Sequence, residues 1–142
     1  MKLVKHLLDA KGRHIVSVPP DTSVLDAIKT MAEKAVGSLL VVEGDKICGI
    51  LTERDYARKV IIKGRSSEST LVSEIMSSDV LTTTSAETVN DCMELMSSRS
   101  VRHLPVVEDN RVLGMISMRD LVQAIIADQQ EEIEQLENYI SG

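Results

Sequence analysis

The residues Gly49-Ile50-Leu51-Thr52-Glu53-Arg54-Asp55 recur 65 residues later as Gly114-Met115-Ile116-Ser117-Met118-Arg119-Asp120. The same offset continues without a gap from the pair Ile15/Val80 to the pair Ile61/Ile126, and about half of the pairs are identical or exchange one apolar residue for another. Such a long register is the signature of an internal repeat. We therefore expect two copies of one structural unit.

Both copies predict the same order of elements. A short β-prone run (14–18; 80–84) precedes a helix that is N-capped near Ser23 or Thr88. Two apolar strands follow, joined by a tight hairpin turn, and a second helix begins where the repeated motif ends. Each copy is thus β-α-β-β-α. The prediction is an α+β fold of two tandem βαββα repeats related by pseudo-twofold symmetry.

The C-terminal helix is predicted to run on well beyond its counterpart in the first copy. An apolar stripe on this extension, with glutamates on other faces, needs a partner surface. Docking on the chain's own domain and packing on a second subunit fit the stripe equally well; its members are Ile126, Ile133, Leu136 and Ile140. The predicted organisation is a helical lead (1–13), repeat 1 (14–63), a linker with a short helix (64–78), repeat 2 (79–127) and a helical extension (128–142).

Composition argues against several classes of protein. The net charge is −6, and Tyr56 and Tyr139 are the two aromatic residues, so neither the basic patch nor the stacking platforms of a nucleic-acid binder are expected. No apolar run approaches the roughly 20 residues of a membrane span. No secretory signal is recognisable at the start. We expect no nucleic-acid or membrane partner and a cytoplasmic location.

The sequence also gives little support for catalysis. A hydrolase needs a nucleophile beside a base, or a metal cluster. The three histidines show no ligand spacing, and Cys48 and Cys92 form no CxxC pair. We therefore expect neither enzyme activity nor a metal.

The repeated motif, G-h-h-[ST]-x-x-D with h apolar, has two interpretations. Thr52 and Ser117 are good helix N-caps, and an aspartate three residues later favours the positive end of a helix, so the motif could be purely structural. The same geometry sets a hydroxyl, a helix N-terminus and an arginine where an anion could bind. The carboxylate could then accept hydrogen bonds from a ribose diol. Repetition with its glycine and arginine favours the binding interpretation.

Paired βαββα units that end in this motif resemble a tandem pair of CBS domains, over nearly all of residues 14–127. The string Arg102-His103-Leu104-Pro105-Val106-Val107 is also similar to that of small stand-alone members. The resemblance implies a non-catalytic regulatory module with two quasi-equivalent nucleotide sites in a cleft between the repeats.

The resemblance also implies which residues would bind the nucleotide. Asp55 with Thr52, and Asp120 with Ser117, would contact the ribose or a phosphate. Arg54, Arg119, Arg102 and His103 would meet phosphates, although a histidine that begins a strand is often only a hydrogen-bonded core residue. The adenine would lie on the first strand and the start of the second, at Val16, Ser17, Ser38 and Leu39 in one repeat and at Thr82, Val101, His103, Leu104 and Pro105 in the other.

The expected ligand is an adenine nucleotide: AMP, ATP or NAD. Repeat 2 has Arg102-His103 where repeat 1 has Gly37-Ser38, so the second site is better suited to a phosphorylated ligand, and one dinucleotide across both sites would fit this asymmetry. The resemblance further implies a homodimer that regulates a partner enzyme. The alternative is a homodimeric scaffold without a ligand, which docks a partner protein through its C-terminal helix.

Overall fold

A computed structural model describes residues 2–12 and 14–141. Met1, Arg13 and Gly142, which belong to the predicted terminal segments, lie outside the described residues. The chain divides into two compact units, residues 15–81 and residues 1–14 with 82–142. The helices are α1 (Val4–Lys11), α2 (Val24–Lys34), α3 (Glu53–Tyr56), α4 (Val72–Ile75), α5 (Val89–Arg99) and α6 (Met118–Ser141); the strands are β1 (Ser17–Val18), β2 (Ser38–Glu43), β3 (Lys46–Thr52), β4 (His103–Glu108) and β5 (Arg111–Ser117).

The unit of residues 15–81 contains a three-stranded sheet in the order β1-β2-β3. β1 is parallel to β2, and β2 pairs with β3 as an antiparallel hairpin in which Ser38 faces Thr52. The helix α2 begins as predicted, with the Ser23 hydroxyl accepting from the Asp26 backbone N–H. Ten buried apolar residues form the core of this unit: Val18, Val24, Ala27, Met31, Leu39, Val41, Leu51, Val60, Val72 and Ile75.

The second unit repeats this plan with a smaller sheet. β4 and β5 form an antiparallel hairpin with the register of the first copy, so that His103 faces Ser117. Thr88 caps α5 as Ser23 caps α2. The first strand of this copy is reduced to one bridge between Thr83 and Val106. The α+β architecture and the short N-terminal and long C-terminal helices are confirmed.

Pro105 explains the missing strand. In the first copy the Leu40 backbone N–H donates to the Val16 carbonyl at 3.1 Å, which extends the pairing of β1 with β2. The residue 65 positions after Leu40 is Pro105, which has no N–H to donate. In the run predicted at 80–84, the described pairing with β4 is therefore made by Thr83, which donates to the Pro105 carbonyl and accepts from the Val107 N–H.

The short helices α1 and α4 each pair with the repeat other than the one they precede. The Val72 N–H at the start of α4 donates to the Thr22 carbonyl at 2.8 Å, just before α2. The Val4 N–H at the start of α1 donates to the Glu87 carbonyl at 2.9 Å, just before α5. Each repeat thus has a leading helix, and α1 is part of the unit that contains the second repeat.

The helix α6 packs only through its first three turns. Leu121 and Ala124 are buried, whereas every residue from 129 to 141 is exposed. Of the two dockings that the sequence left open for the apolar stripe, packing on the chain's own domain is therefore not observed. Within the described residues, no helix combines the length and apolar character needed to cross a membrane.

Candidate functional site

The first candidate corner lies where β3 passes into α3. Thr52 is the N-cap of α3, and its hydroxyl accepts from the Asp55 backbone N–H at 3.1 Å. Asp55 Oδ2 accepts in return from the Thr52 backbone N–H at 3.1 Å and from the Thr52 hydroxyl at 3.2 Å. The predicted capping box is therefore present, and it fixes a buried carboxylate at the strand-to-helix junction.

The remaining oxygen of Asp55 also has partners. Lys59 Nζ lies 3.2 Å from Asp55 Oδ1, and the Ser77 hydroxyl donates to the same oxygen at 3.4 Å. Lys59 Nζ also donates to the Ile75 carbonyl at 2.8 Å, which ties the lysine to the end of α4. Both oxygens of this carboxylate are therefore engaged by the protein.

Gly49, the first residue of the motif, permits the approach of Ser77. The Ser77 and Ile50 backbones exchange two hydrogen bonds, of 2.9 and 3.0 Å, beside the glycine. A Cβ at Gly49 would lie 2.7 Å from Met76 Sδ and 2.8 Å from the Ser77 carbonyl oxygen. These distances are too short for a side chain, so the glycine is required by close packing.

The second candidate corner lies where β5 passes into α6. Asp120 Oδ2 accepts from the Ser117 backbone N–H at 2.8 Å, and the Ser117 hydroxyl accepts from the Asp120 backbone N–H at 3.1 Å. Lys11, at the end of α1, donates to Asp120 Oδ2 at 2.6 Å and to the Met115 carbonyl at 2.8 Å. The leading helix thus brings a cation to the motif aspartate, as Lys59 does in the first corner.

Asp120 is held ionised by these bonds. Burial of the carboxyl group acts to raise the pKa of Asp120, but the hydrogen bonds from Lys11 and from the Ser117 backbone outweigh it, and the pKa is lowered. The side chain of Asp120 is 21% exposed, compared with 12% for Asp55. Lys11 Nζ and the Ser117 backbone N–H both donate to Oδ2 of Asp120. The second corner is therefore the more accessible of the two.

The sheet register places two further predicted residues beside the corners. Ser38 pairs with Thr52, and His103 pairs with Ser117. Ser38 is buried, with 8% of its surface exposed, and His103 is half-buried. These four positions are brought together within their own units by the hairpin register, as the repeat predicts.

The predicted adenine and phosphate residues differ widely in exposure. Leu39 and Leu104 are fully buried and Pro105 is buried, so their side chains belong to the core and only their backbones could meet a ligand. Exposed residues are Ser17, Thr82, Arg54, Arg102 and Arg119, and half-buried ones are Val16 and Val101.

A shallow cavity of about 580 Å³ opens at the opposite end of the first sheet. It lies against the turn after β2, whereas Thr52 pairs with Ser38 at the start of β2. A strand of six residues separates the two ends by about 17–20 Å. The cavity is therefore separate from the corner, although the predicted residue Ser17 belongs to it; the lining residues are Ser17, Val18, Pro19, Pro20, Asp21, Val42, Glu43 and Gly44.

Lys11 and Lys59 are site residues that sequence reasoning missed. Lys59 follows Asp55 by four residues, a helical spacing that signals an ion pair. The position 65 residues after Lys59 is Ala124, so the second repeat has no lysine of its own there, and Lys11 takes that role from 109 residues away. In residues 2–12 and 14–141, no group of three or more histidine, cysteine, aspartate or glutamate side chains could hold a metal ion.

Comparison with known sequences decides the family. The model of the CBS domain matches residues 8–62 and 72–127. The chain belongs to the CBS-domain family. A CBS domain-containing protein, CBSX3 of Arabidopsis thaliana, named as mitochondrial, is 42% identical over 127 residues. The match spans 86% of this chain and 62% of that relative, so this CBS pair corresponds to less than two thirds of the longer protein.

Solved structures have the same fold, and among them are one with adenosine ligands and one hexamer. The CBS-domain protein ATU1752 from Agrobacterium tumefaciens has a TM-score of 0.83 at 38% identity, covering 87% of this chain and 98% of that one. The CBS domain pair of MJ0100, in complex with 5′-methylthioadenosine and S-adenosyl-L-methionine, has a TM-score of 0.80 at 25% identity, covering 90% and 98%. A hexameric CBS-CP12 protein from bloom-forming cyanobacteria has a TM-score of 0.77 at 27% identity, covering 85% and 66%.

Proposed function

We propose that this CBS pair is a non-catalytic regulatory module that binds an adenine nucleotide, AMP, ATP or NAD, in a cleft between its two repeats. The observation that carries the proposal is the duplicated corner, in which Thr52 with Asp55 and Ser117 with Asp120 have the same geometry. An aspartate fixed at a helix N-terminus is suited to accept hydrogen bonds from a ribose diol. The adenosine ligands of the MJ0100 pair support the ligand class.

Occupancy is proposed to begin at the second corner. Asp120 is more exposed than Asp55, and its Oδ1 is the less engaged oxygen among the described contacts. Arg102 and Arg119 are exposed and belong to the same repeat, so they would meet the phosphates. The first corner would fill later or remain empty, because both oxygens of Asp55 already have partners.

Regulation would follow from linkage and not from turnover. A nucleotide can shift an equilibrium between two arrangements of the module only by its differential affinity for them. A partner enzyme that recognises one arrangement would then respond to nucleotide concentration. We propose a homodimer as the regulatory assembly and the cytoplasm as its location.

Thermal unfolding with AMP, ATP, NAD and S-adenosylmethionine tests the proposal. A ligand at about 100 times its dissociation constant stabilises the native state by about 2.7 kcal/mol, which raises the melting temperature of a 142-residue chain measurably. A melting temperature that none of these compounds changes would contradict nucleotide binding.

A pair of variants locates the ribose. Asp120→Ala removes a hydrogen-bonding carboxylate and should weaken binding by roughly 10- to 150-fold, a loss of about 1.5–3 kcal/mol. Asp91→Ala is the matched control, because Asp91 is also the third residue of a helix with a Ser or Thr N-cap but lies outside the motif. Isothermal titration calorimetry on the two folded variants should show weakened nucleotide binding for Asp120→Ala and unchanged binding for Asp91→Ala. Equal affinity in the two would mean that Asp120 does not contact the sugar.

The second candidate function is a scaffold that docks a partner protein through α6 without a ligand. The apolar residues left exposed on α6 favour it. The two functions are compatible, since the corners and the exposed part of α6 use different residues.

A further inference from the structure

One face of α6 carries an apolar ridge that Gln129 interrupts; its members are Val122, Ile126, Ile133, Leu136 and Ile140. These side chains are 41%, 49%, 54%, 61% and 83% exposed in the same order. They occupy the first and fourth positions of consecutive heptads, with Gln129 completing the pattern. This spacing is typical of a helix that packs along its length on another helix.

The ridge is not the face by which α6 packs on its own unit. Leu121 and Ala124, the buried residues of α6, define that face. At about 100° per residue, the centre of the ridge lies about 130° around the helix axis from the midpoint of that face. A single helix cannot turn both faces to one surface, so covering the ridge requires a second surface.

The charged side chains of this segment are all acidic. From 121 to 141 the chain contains Asp128, Glu131, Glu132, Glu134 and Glu137 and no lysine or arginine. Acidic groups near a helix C-terminus are unfavourable, and helical stability in proteins comes mainly from packing of an amphipathic face. The segment is therefore suited to a cover that supplies both apolar contact and positive charge.

We infer that the ridge docks a helix of a partner protein with an apolar stripe and flanking lysine or arginine residues. On the heptad pattern, Glu132 and Glu137 flank the ridge on its two sides. In a parallel pair of identical helices, Glu132 of one copy faces Glu137 of the other; in an antiparallel pair, each flank again meets an acidic or neutral flank. Like charges at these positions oppose self-pairing, whereas a basic helix satisfies them in either orientation.

Synthetic helical peptides test this inference directly. Three peptides share one apolar heptad pattern and differ in their flanking residues, which are lysine, glutamine or glutamate. Binding to the full chain is measured by fluorescence anisotropy at about 50 mM and about 300 mM salt. The lysine peptide should bind roughly tenfold more tightly than the glutamine peptide at low salt, and this advantage should shrink at high salt.

Three variants assign the effect to the ridge. Ile133→Ser with Leu136→Ser should weaken all peptides, because both positions lie at its centre. Glu132→Lys with Glu137→Lys should reverse the preference toward the glutamate peptide. Glu33→Lys with Glu68→Lys changes the net charge equally at exposed sites elsewhere and should leave the preference unchanged.

Several outcomes would overturn the inference. Equal affinity for the lysine and glutamine peptides, or no binding of either, would do so. A dimer in sedimentation experiments at low salt that Ile133→Ser with Leu136→Ser abolishes would assign the ridge to a second copy of this chain. The nucleotide-induced melting shift is read separately on the same variants, so failure of nucleotide binding leaves this test intact.

Discussion

The ion pair between Lys11 of α1 and the motif aspartate Asp120 can be tested directly. Lys11→Met, Asp120→Asn and the double variant give a double-mutant cycle on the free energy of unfolding. The two groups form a charge-assisted hydrogen bond of 2.6 Å with side chains that are 39% and 21% exposed. Exposed ion pairs contribute about 0.2–1 kcal/mol and hydrogen bonds to charged groups about 1.5–3 kcal/mol, so partial exposure places the coupling energy near 1 kcal/mol.

The coupling should depend on pH in a defined direction. Burial acts against the ionised form of Asp120, but the bonds from Lys11 and Ser117 outweigh it, so the folded-state pKa is lower than the unfolded one. A lowered carboxyl pKa contributes stability that is fully present above the unfolded pKa of about 3.9 and is lost as the pH falls through the lowered value. The coupling should therefore be constant from about pH 5 to 8 and vanish in strong acid.

Urea unfolding followed by circular dichroism measures the cycle. The pair Lys2 and Asp128 is the control, because it joins the segment just before α1 to α6 at 3.3 Å, with both side chains about a third exposed. Its coupling should be below about 0.5 kcal/mol. A coupling for Lys11 and Asp120 that is zero at pH 7, or equal to that of the control, would show that α1 does not hold the motif aspartate.

Three further outcomes are expected. Gly49→Ala should destabilise the fold by about 1–3 kcal/mol, because the added Cβ would clash with the Ser77 carbonyl oxygen. Gly37→Ala is the control: the nearest atom to its added Cβ is 3.9 Å away, so the free energy of unfolding should change little. Equal effects of the two variants in urea unfolding would contradict the packing argument. Leu8→Ala should cost about 2–5 kcal/mol, because Leu8 is fully buried; a loss below about 1 kcal/mol in urea unfolding would mean that α1 is not docked. Burial raises the pKa of the Cys92 thiol more than the hydrogen bond with Thr83 lowers it. Iodoacetamide at pH 8 should therefore modify Cys92 more slowly than the half-exposed Cys48. Equal modification rates of the two cysteines in peptide mapping would refute this.

The repeat alone predicted the elements that build both corners. The two hairpins, their N-capped helices and the capping boxes at Thr52 and Ser117 all follow from local patterns that the offset of 65 residues displays twice. The hairpins, caps and capping boxes depend on residues close in sequence, which is why they could be inferred. The reduced first strand of the second copy was not predicted, although the sequence contains its cause: Pro105 replaces the residue whose N–H bonds the strand in the first copy.

The packing of α1 on the second repeat, and of α4 on the first, could not be inferred in the same way. The gapless offset stops at Ile15, and α1 corresponds to α4 at a different offset of 68 residues, with Leu3/Leu71 and Val4/Val72 as the identical pairs. The bond from Lys11 to Asp120 depends on this long-range docking and has no local signal. The five-residue turn that follows α3, closed by the Ile62 N–H on the Ala57 carbonyl, was likewise expected as ordinary α-helix.

The docking of α1 onto the second repeat has a consequence for synthesis on the ribosome. Residues 15–81 hold a complete unit, so they can fold as soon as they leave the exit tunnel. The helix α1 emerges before this unit, yet residues 82–142, with which it forms the other unit and buries Leu7 and Leu8, are translated after residues 15–81. At roughly 5–20 residues per second, α1 waits for several seconds with an apolar face uncovered, and a chaperone that acts on the nascent chain would find its target there.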